Sequence, residues 1–360
     1  MEVDVLVVGA GPAGSTAARF CAGKSTDVLM IDRRSEIGYP VQCGEFLPSS
    51  KEMYDIFPRS MGLEELFTIE KSHVAGESGA VDMISPGGRA FRCPFEGVTL
   101  DRRSFDKWLV KLAVENGARL EKNTSLLSIK DGVAITTLGD IKARVIIGAD
   151  GPNSRTARSA GLQNPALNYP AVTCQAEGSF EPTVKMYFGS VAPGGYAWVI
   201  PKRSGANVGI GFNPKMLADR PSEIFHRFVQ RLGVKYDEVT MGFVPISGPV
   251  RSTVNGNVLL VGDAAGFTMA TNGGGIPTAM IGGRIAGKAV KQHLLYGTPL
   301  SDYERECRSV LYKPLKHATR TRRMGDIVFP HDRAVNWTMA VIGIAGLERA
   351  IRCKPVFYIT

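Results

Sequence analysis

The sequence predicts a mixed α/β fold in which a nucleotide-binding parallel sheet is interrupted by an antiparallel one, and three stretches carry the prediction. Residues 5–32 read as strand, glycine turn, helix and strand. Residues 171–212 switch to period-two alternation of apolar side chains. Residues 258–276 return to a short apolar strand that ends in an acid and is followed by a glycine-rich turn into a helix. A chain of 360 residues with 44% hydrophobic content can bury the core of two intimately joined domains or of one large one.

The first stretch is the most informative. Val5, Leu6, Val7 and Val8 suit a buried strand, and a second apolar run, Val28 to Ile31, ends in Asp32. Between them Gly9 serves the tight turn, Gly11 the approach of backbone to a pyrophosphate, and Gly14 the close packing of helix on strand. Phosphates would sit at the helix N-terminus. Asp32 lies roughly 20 residues past the fingerprint, where a carboxylate accepts hydrogen bonds from the ribose hydroxyls of an adenosine. FAD or NAD is the implied guest of this Rossmann-like unit.

Residues 33–45 form a loop leaving that unit, able to run along an extended cofactor towards its reactive ring. Cys43 within it has two readings: a small packed residue, which is the commoner role of a lone cysteine, or a contact to the cofactor. Residues 80–92 read as a hairpin about Pro86, Gly87 and Gly88. Asp101 then caps a helix whose inward face carries Phe105, Trp108, Leu109, Leu112 and Ala113. Arg102, on its first turn, is either a solvated charge or a phosphate ligand.

Short strands follow through Leu126, Ile129, Val133, Ile135 and residues 141–147, and the last delivers Ala149, Asp150 and Gly151 into a polar turn ending at Arg158. In the antiparallel region, Tyr196 and Trp198 alternate with apolar neighbours, a spacing that more often marks core than a binding wall. Ile224, Phe225, Phe228, Val229 and Leu232 predict a helix, and Met241 and Phe243 a strand. After the strand at 258–261 comes Asp263, and Gly273, Gly274 and Gly275 open the helix that begins at Ile276. An acid after a strand suits a ribityl chain, and a helix start suits an electron-rich ring. The tail holds a basic run from Lys313 to Arg323, by default a solvated helix face, and then an apolar segment.

Several classes are set aside. One GxGxxG is present without a second, so no separate nicotinamide domain is expected, and neither a CxxxxC redox pair nor HExxH or CxxC metal spacing occurs. Six scattered cysteines and no recognisable signal peptide predict a reducing, cytoplasmic setting. No apolar run reaches the ~18 residues needed to span a bilayer. The formal charge of +9 suits acidic partners and leaves open a peripheral contact at the inner face of the cell membrane. No nucleic-acid module is recognised, so nucleic acid is not an expected partner.

Taken together, the Gly9–Gly14 turn with Asp32, the Asp150–Gly151 turn, and Gly262–Asp263 with the later glycines resemble the FAD-dependent para-hydroxybenzoate hydroxylase-like superfamily. Further stretches are similar to the geranylgeranyl reductase family, in its archaeal digeranylgeranylglycerophospholipid reductase branch: residues 40–45, Asp101 with Arg102, residues 193–202, and residues 245–249. The resemblance implies a Rossmann-like FAD-binding domain over 1–78, 97–168 and 250–297, with an inserted antiparallel β-sheet substrate domain over 79–96 and 169–249. A C-terminal helical segment fills 298–360. By the same resemblance Gly9, Gly11, Ala13, Gly14, Asp32, Arg33, Cys43, Gly44, Arg102, Asp263, Gly275 and Ile276 hold FAD, Leu126 does so through its backbone, and Tyr196 and Trp198 line the substrate cavity. No metal is implied. One departure stands out: where that family commonly has a proline before its glycine run, this chain has Met269, Ala270, Thr271 and Asn272.

The implied activity is saturation of isoprenoid (geranylgeranyl) double bonds in archaeal ether-lipid precursors, by hydride transfer from reduced flavin N5 and protonation of the other alkene carbon. An external electron donor such as NAD(P)H or ferredoxin is required. Cys43, Tyr196 and ordered water are the candidate proton donors. The alternatives are an FAD monooxygenase acting on an apolar or aromatic substrate, and a flavin-bearing lipid-binding protein that does not turn over.

Overall fold

A computed structural model describes residues 1–356. The first sheet runs in the order Val254–Asn255, Val258–Leu260, Gly139–Gly148, Glu2–Val8, Val28–Ile31, Ala118–Glu121, and its pairings from Val258–Leu260 onward are parallel. The strands Leu126–Lys130 and Val133–Thr136 join it as an antiparallel hairpin beside Gly139–Gly148. Strand Glu2–Val8 is central, and its second half, Val5 to Val8, is buried on both faces, which is why those four residues form a continuous apolar run.

Glycine decides how closely the helices approach this sheet. A Cβ on Gly14 would stand 1.9 Å from the Gly9 carbonyl oxygen, and Gly9 itself has φ +102°, so both positions admit only glycine. Helix Ile276–Tyr296 lies against helix Pro12–Cys21 through Gly283 and Gly287, where a Cβ would come within 2.4 Å of the Ala13 and Ala17 carbonyl oxygens. Backbone thus meets backbone, and the N-terminal residues of the two helices line one cavity.

The second sheet runs Thr240–Pro245, Asn168–Ala176, Gly205–Gly211, Tyr196–Lys202, Val184–Phe188, Val74–Ile84, Ala90–Leu100, Phe46–Pro48. Only the pairing of Val184–Phe188 with Val74–Ile84 is parallel. The predicted hairpin exists but is longer than 80–92, and the divisions at 78/79 and 96/97 cut two continuous strands whose ladder runs from Val74 to Leu100. Period-two alternation sorts strand Tyr196–Lys202 between two environments. Ala197 and Val199 pack beneath helix Pro221–Leu232 with Phe225 and Phe228, whereas Tyr196, Trp198 and Ile200 turn to the cavity.

Three helices, Ser301–Val310, Tyr312–Val328 and Asp332–Ile351, close the molecule, the last kinked at Gly343. Arg352 clamps the end of the last helix. It donates to both oxygens of buried Glu52 at 2.8 and 2.9 Å and to the Pro94 carbonyl at 2.7 Å. Among the described residues no helix is long and apolar enough to cross a membrane.

Candidate active site

The two glycine turns open on a single cavity of about 1530 Å³. Gly9, Gly11 and Ala13 line one end of it, and nothing lies within 4 Å of where a Gly11 Cβ would be. Backbone is therefore bare towards the cavity where the motif requires it. Asp32, 4% exposed, is held by Ala10 N–H at 2.8 Å and by the Arg34 guanidinium at 2.9 and 2.8 Å. Burial opposes its charge, but Arg34 and the Ala10 amide hold its carboxyl below the usual range. Arg33 is exposed and also lines the cavity; the residue that engages Asp32 is its neighbour Arg34, which sequence reading passed over.

The Asp150 turn is self-contained. Asp150 accepts hydrogen bonds from the backbone N–H groups of Arg155 and Thr156 at 2.8 and 2.9 Å and from the Ser154 hydroxyl at 2.5 Å, so its carboxylate folds its own loop. Arg155 in turn donates to the Leu126 carbonyl at 3.0 Å, placing the Leu126 backbone at the cavity edge.

Beyond the dinucleotide end, the loop carrying Cys43 and Gly44 rests on a buried polar network. Asn207, fully buried, accepts from Trp198 Nε1 at 2.7 Å and donates to the Cys43 carbonyl and to Glu45 Oε2, both at 2.8 Å. Glu45 is 1% exposed in the left-handed conformation at φ +66°, and pairs with Lys202 at 2.6 Å and with Gln175 at 2.9 Å. A buried carboxylate needs such partners. None of Glu45, Gln175, Lys202 and Asn207 was singled out from the sequence as a site residue; the hints were Glu45 closing the stretch 40–45 and Lys202 closing the stretch that begins at Pro193.

Arg102 is neither solvated nor unpartnered. It forks onto Asp106 at 2.8 and 2.9 Å, and although burial opposes the charge, the carboxylates of Asp106 and Glu45 hold the guanidinium above its ordinary pKa. The Cys43 thiol beside it is pushed up by burial, against the pull of Arg102, and so stays protonated at neutral pH. Asp263 accepts from Thr268 at 3.0 Å through one oxygen, and its other oxygen has no partner among the described residues. Burial, opposed by Thr268 and Arg102, raises it to about 6. A Cβ on Gly275 would stand 3.1 Å from Asp263, so glycine keeps this corner open.

The glycine run is organised by Asn272, one of the four residues that replace the proline-containing pattern. Its side chain accepts from Gly274 N–H at 2.9 Å and donates to the Ile351 carbonyl at 3.0 Å, and its own carbonyl accepts the Tyr196 hydroxyl. Burial pushes the Tyr196 phenol up, and its proton is committed to Asn272. The far part of the cavity is apolar, lined by Phe188, Tyr196, Trp198, Phe329, Ile342 and Leu347. The C-terminal helices, expected from the sequence only as a helical segment with a solvated basic face, thus supply a wall of the cavity.

Bare backbone at Gly11, two glycine-led helix starts and a cavity-facing carboxylate at Asp263 fit an extended dinucleotide. Together with the inserted sheet they define the Rossmann-type, para-hydroxybenzoate hydroxylase-like fold of flavin-dependent oxidoreductases. Residues 7–59 match the model of an NAD(P)-binding Rossmann-like domain, and residues 165–244 that of a geranylgeranyl reductase catalytic domain. Digeranylgeranylglycerophospholipid reductase 2 of Methanosphaera stadtmanae is 35% identical over 324 residues, covering 82% of this chain and 80% of the relative. Reductase 1 of Methanopyrus kandleri is 37% identical over 310 residues, covering 80% of each chain. A geranylgeranyl bacteriochlorophyll reductase-like protein from Thermoplasma acidophilum superposes with a TM-score of 0.81 at 26% identity, covering 94% of this chain and 96% of that one. The flavin-dependent brominase Bmp2, with a TM-score of 0.73 at 18% identity, shares the fold. The chain belongs to the digeranylgeranylglycerophospholipid reductase family.

Proposed function

We propose that this protein is an FAD-dependent reductase that saturates isoprenoid double bonds of ether-lipid precursors. The observation that carries the reading is the continuity of the cavity, which begins at the dinucleotide turn and ends in an apolar pocket under the C-terminal helices. At about 1530 Å³ it exceeds the roughly 300–1,000 Å³ of drug-sized sites, as a cofactor plus a long hydrocarbon requires. When bound, FAD reduced by an external donor supplies the hydride that one alkene carbon accepts.

The chain's own residues bind, align and protonate. Gly9, Gly11, Gly14 and the Ile276 helix start hold the cofactor by backbone. Trp198, locked by Asn207, and Tyr196, tied to Asn272, give the alkene a fixed wall, and the apolar lining excludes water. Cys43 Sγ holds the proton for the second carbon, with Arg102 beside it to stabilise the thiolate left behind. Tyr196 is the weaker candidate because its hydroxyl proton already serves Asn272.

Anaerobic single turnover tests this. The purified flavoprotein is reduced chemically and mixed with digeranylgeranylglyceryl phosphate, and flavin absorbance and product mass are followed. Flavin reoxidation with a gain of two hydrogens per turnover is expected. A flavin that stays reduced until air is admitted, with oxygen then found in the product, establishes a monooxygenase instead.

A further inference from the structure

The mouth of the cavity is apolar outside as well as in. Ile327 is 79% exposed, Trp337 69%, and Met241 and Phe243 49% each, yet all four line the cavity, so they form its rim. Val341, one turn beyond Trp337, and Ile344, just past the kink at Gly343, extend the exposed stripe along the last helix. Exposed apolar residues scattered singly are ordinary; a contiguous apolar rim marks a contact surface.

Along the two helix segments that carry Ile327 and Trp337, the exposed charge has one sign. Arg320 and Arg323 each stand one turn before Met324 and Ile327, and Arg333 one turn before Trp337. All three are exposed, and none is ion-paired among the described residues. The carboxylates between residues 312 and 347 are Asp326 and Asp332, and both turn to protein. Asp326 accepts from Arg322 at 2.7 Å, and Asp332 from the backbone N–H and hydroxyl of Ser190, both at 2.7 Å.

We infer that this rim docks on the surface of an anionic bilayer, so that a lipid passes from membrane to cavity without crossing water. Apolar side chains including a tryptophan, flanked by unpaired arginines, match the boundary between acyl chains and anionic head groups. A second copy of the chain fits worse, because two such rims would set arginine against arginine. The docking rests on the proposed function only for the identity of the lipid that enters.

Vesicle flotation tests it with the FAD-loaded full chain. The protein is expected to float with phosphatidylglycerol vesicles, to float less at high salt, and to float poorly with phosphatidylcholine. Val341→Asp with Ile344→Asp, two sites outside the cavity lining, should lower the partition coefficient at least about tenfold while leaving flavin absorbance unchanged. The inference is overturned if the wild type does not float with phosphatidylglycerol, if both vesicles bind it equally, or if the double variant floats as the wild type does. A dimer that the double variant dissociates, without vesicle binding, gives the rim to a second copy instead. Flotation with no lipid reduction in the single-turnover experiment keeps the docking and removes the proposed function.

Discussion

Replacing Asn207 by alanine probes the network that holds the Cys43 loop to the cavity wall. The side chain is fully buried and makes four hydrogen bonds, with Trp198, Thr173, Cys43 and Glu45. Their losses are unequal. Thr173 keeps a bond to the Val208 carbonyl at 3.0 Å, and Glu45 keeps Lys202 at 2.6 Å and Gln175 at 2.9 Å. The Trp198 indole N–H and the Cys43 carbonyl lose Asn207 and have no other partner among the described residues. A buried group left unsatisfied costs about 1–3 kcal/mol, so the pair costs about 2–6 kcal/mol, to which the vacated volume adds roughly 1 kcal/mol. Urea unfolding followed by tryptophan fluorescence should therefore show a loss of about 3–7 kcal/mol, above the roughly 1 kcal/mol of an average substitution. A loss under about 1 kcal/mol, with flavin retained as in the wild type, would refute the network as the support of this loop.

Gly14→Ala puts a methyl group 1.9 Å from the Gly9 carbonyl oxygen, so purified variant protein should lose its flavin; a fully yellow preparation contradicts the packing argument. Asp263 holds its proton more tightly folded than unfolded, at about 6 against an ordinary 3.8, so the cofactor-free folded form carries the extra proton between those values. Its stability should then fall as pH rises through this window, by up to about 3 kcal/mol, and Asp263→Asn should flatten that slope in urea midpoints taken at several pH values. Breaking the partly buried Glu52–Arg352 pair with Arg352→Ala should cost about 1.5–3 kcal/mol in thermal or urea unfolding, whereas a change within about 0.5 kcal/mol would show that the C-terminal clamp does not contribute. In single-turnover reduction, Cys43→Ala should slow protonation by about 10²-fold or more and Tyr196→Phe by less than about tenfold; the reverse order would move the proton to Tyr196.

Local pattern was enough for much of this protein. The turn at Gly9 to Gly14, Asp32 after its strand, the cap at Asp101, the period-two strands and the glycines before Ile276 are written in residues a few positions apart. Backbone geometry and periodicity act over that range. Contacts between distant positions left no such trace. Asn207 meets Glu45 across 162 residues and Arg352 meets Glu52 across 300, each an ordinary polar residue until the fold buries it opposite its partner. Local alternation also could not say which face of strand Tyr196–Lys202 was core and which was cavity, since both carry apolar side chains. Helix Pro221–Leu232 settled it by covering Ala197 and Val199 and leaving Tyr196 and Trp198 to the cavity. The sequence alone determined that a dinucleotide would be held by backbone; tertiary structure decided what surrounds the reacting end, because burial and charge pairing are properties of the assembled fold.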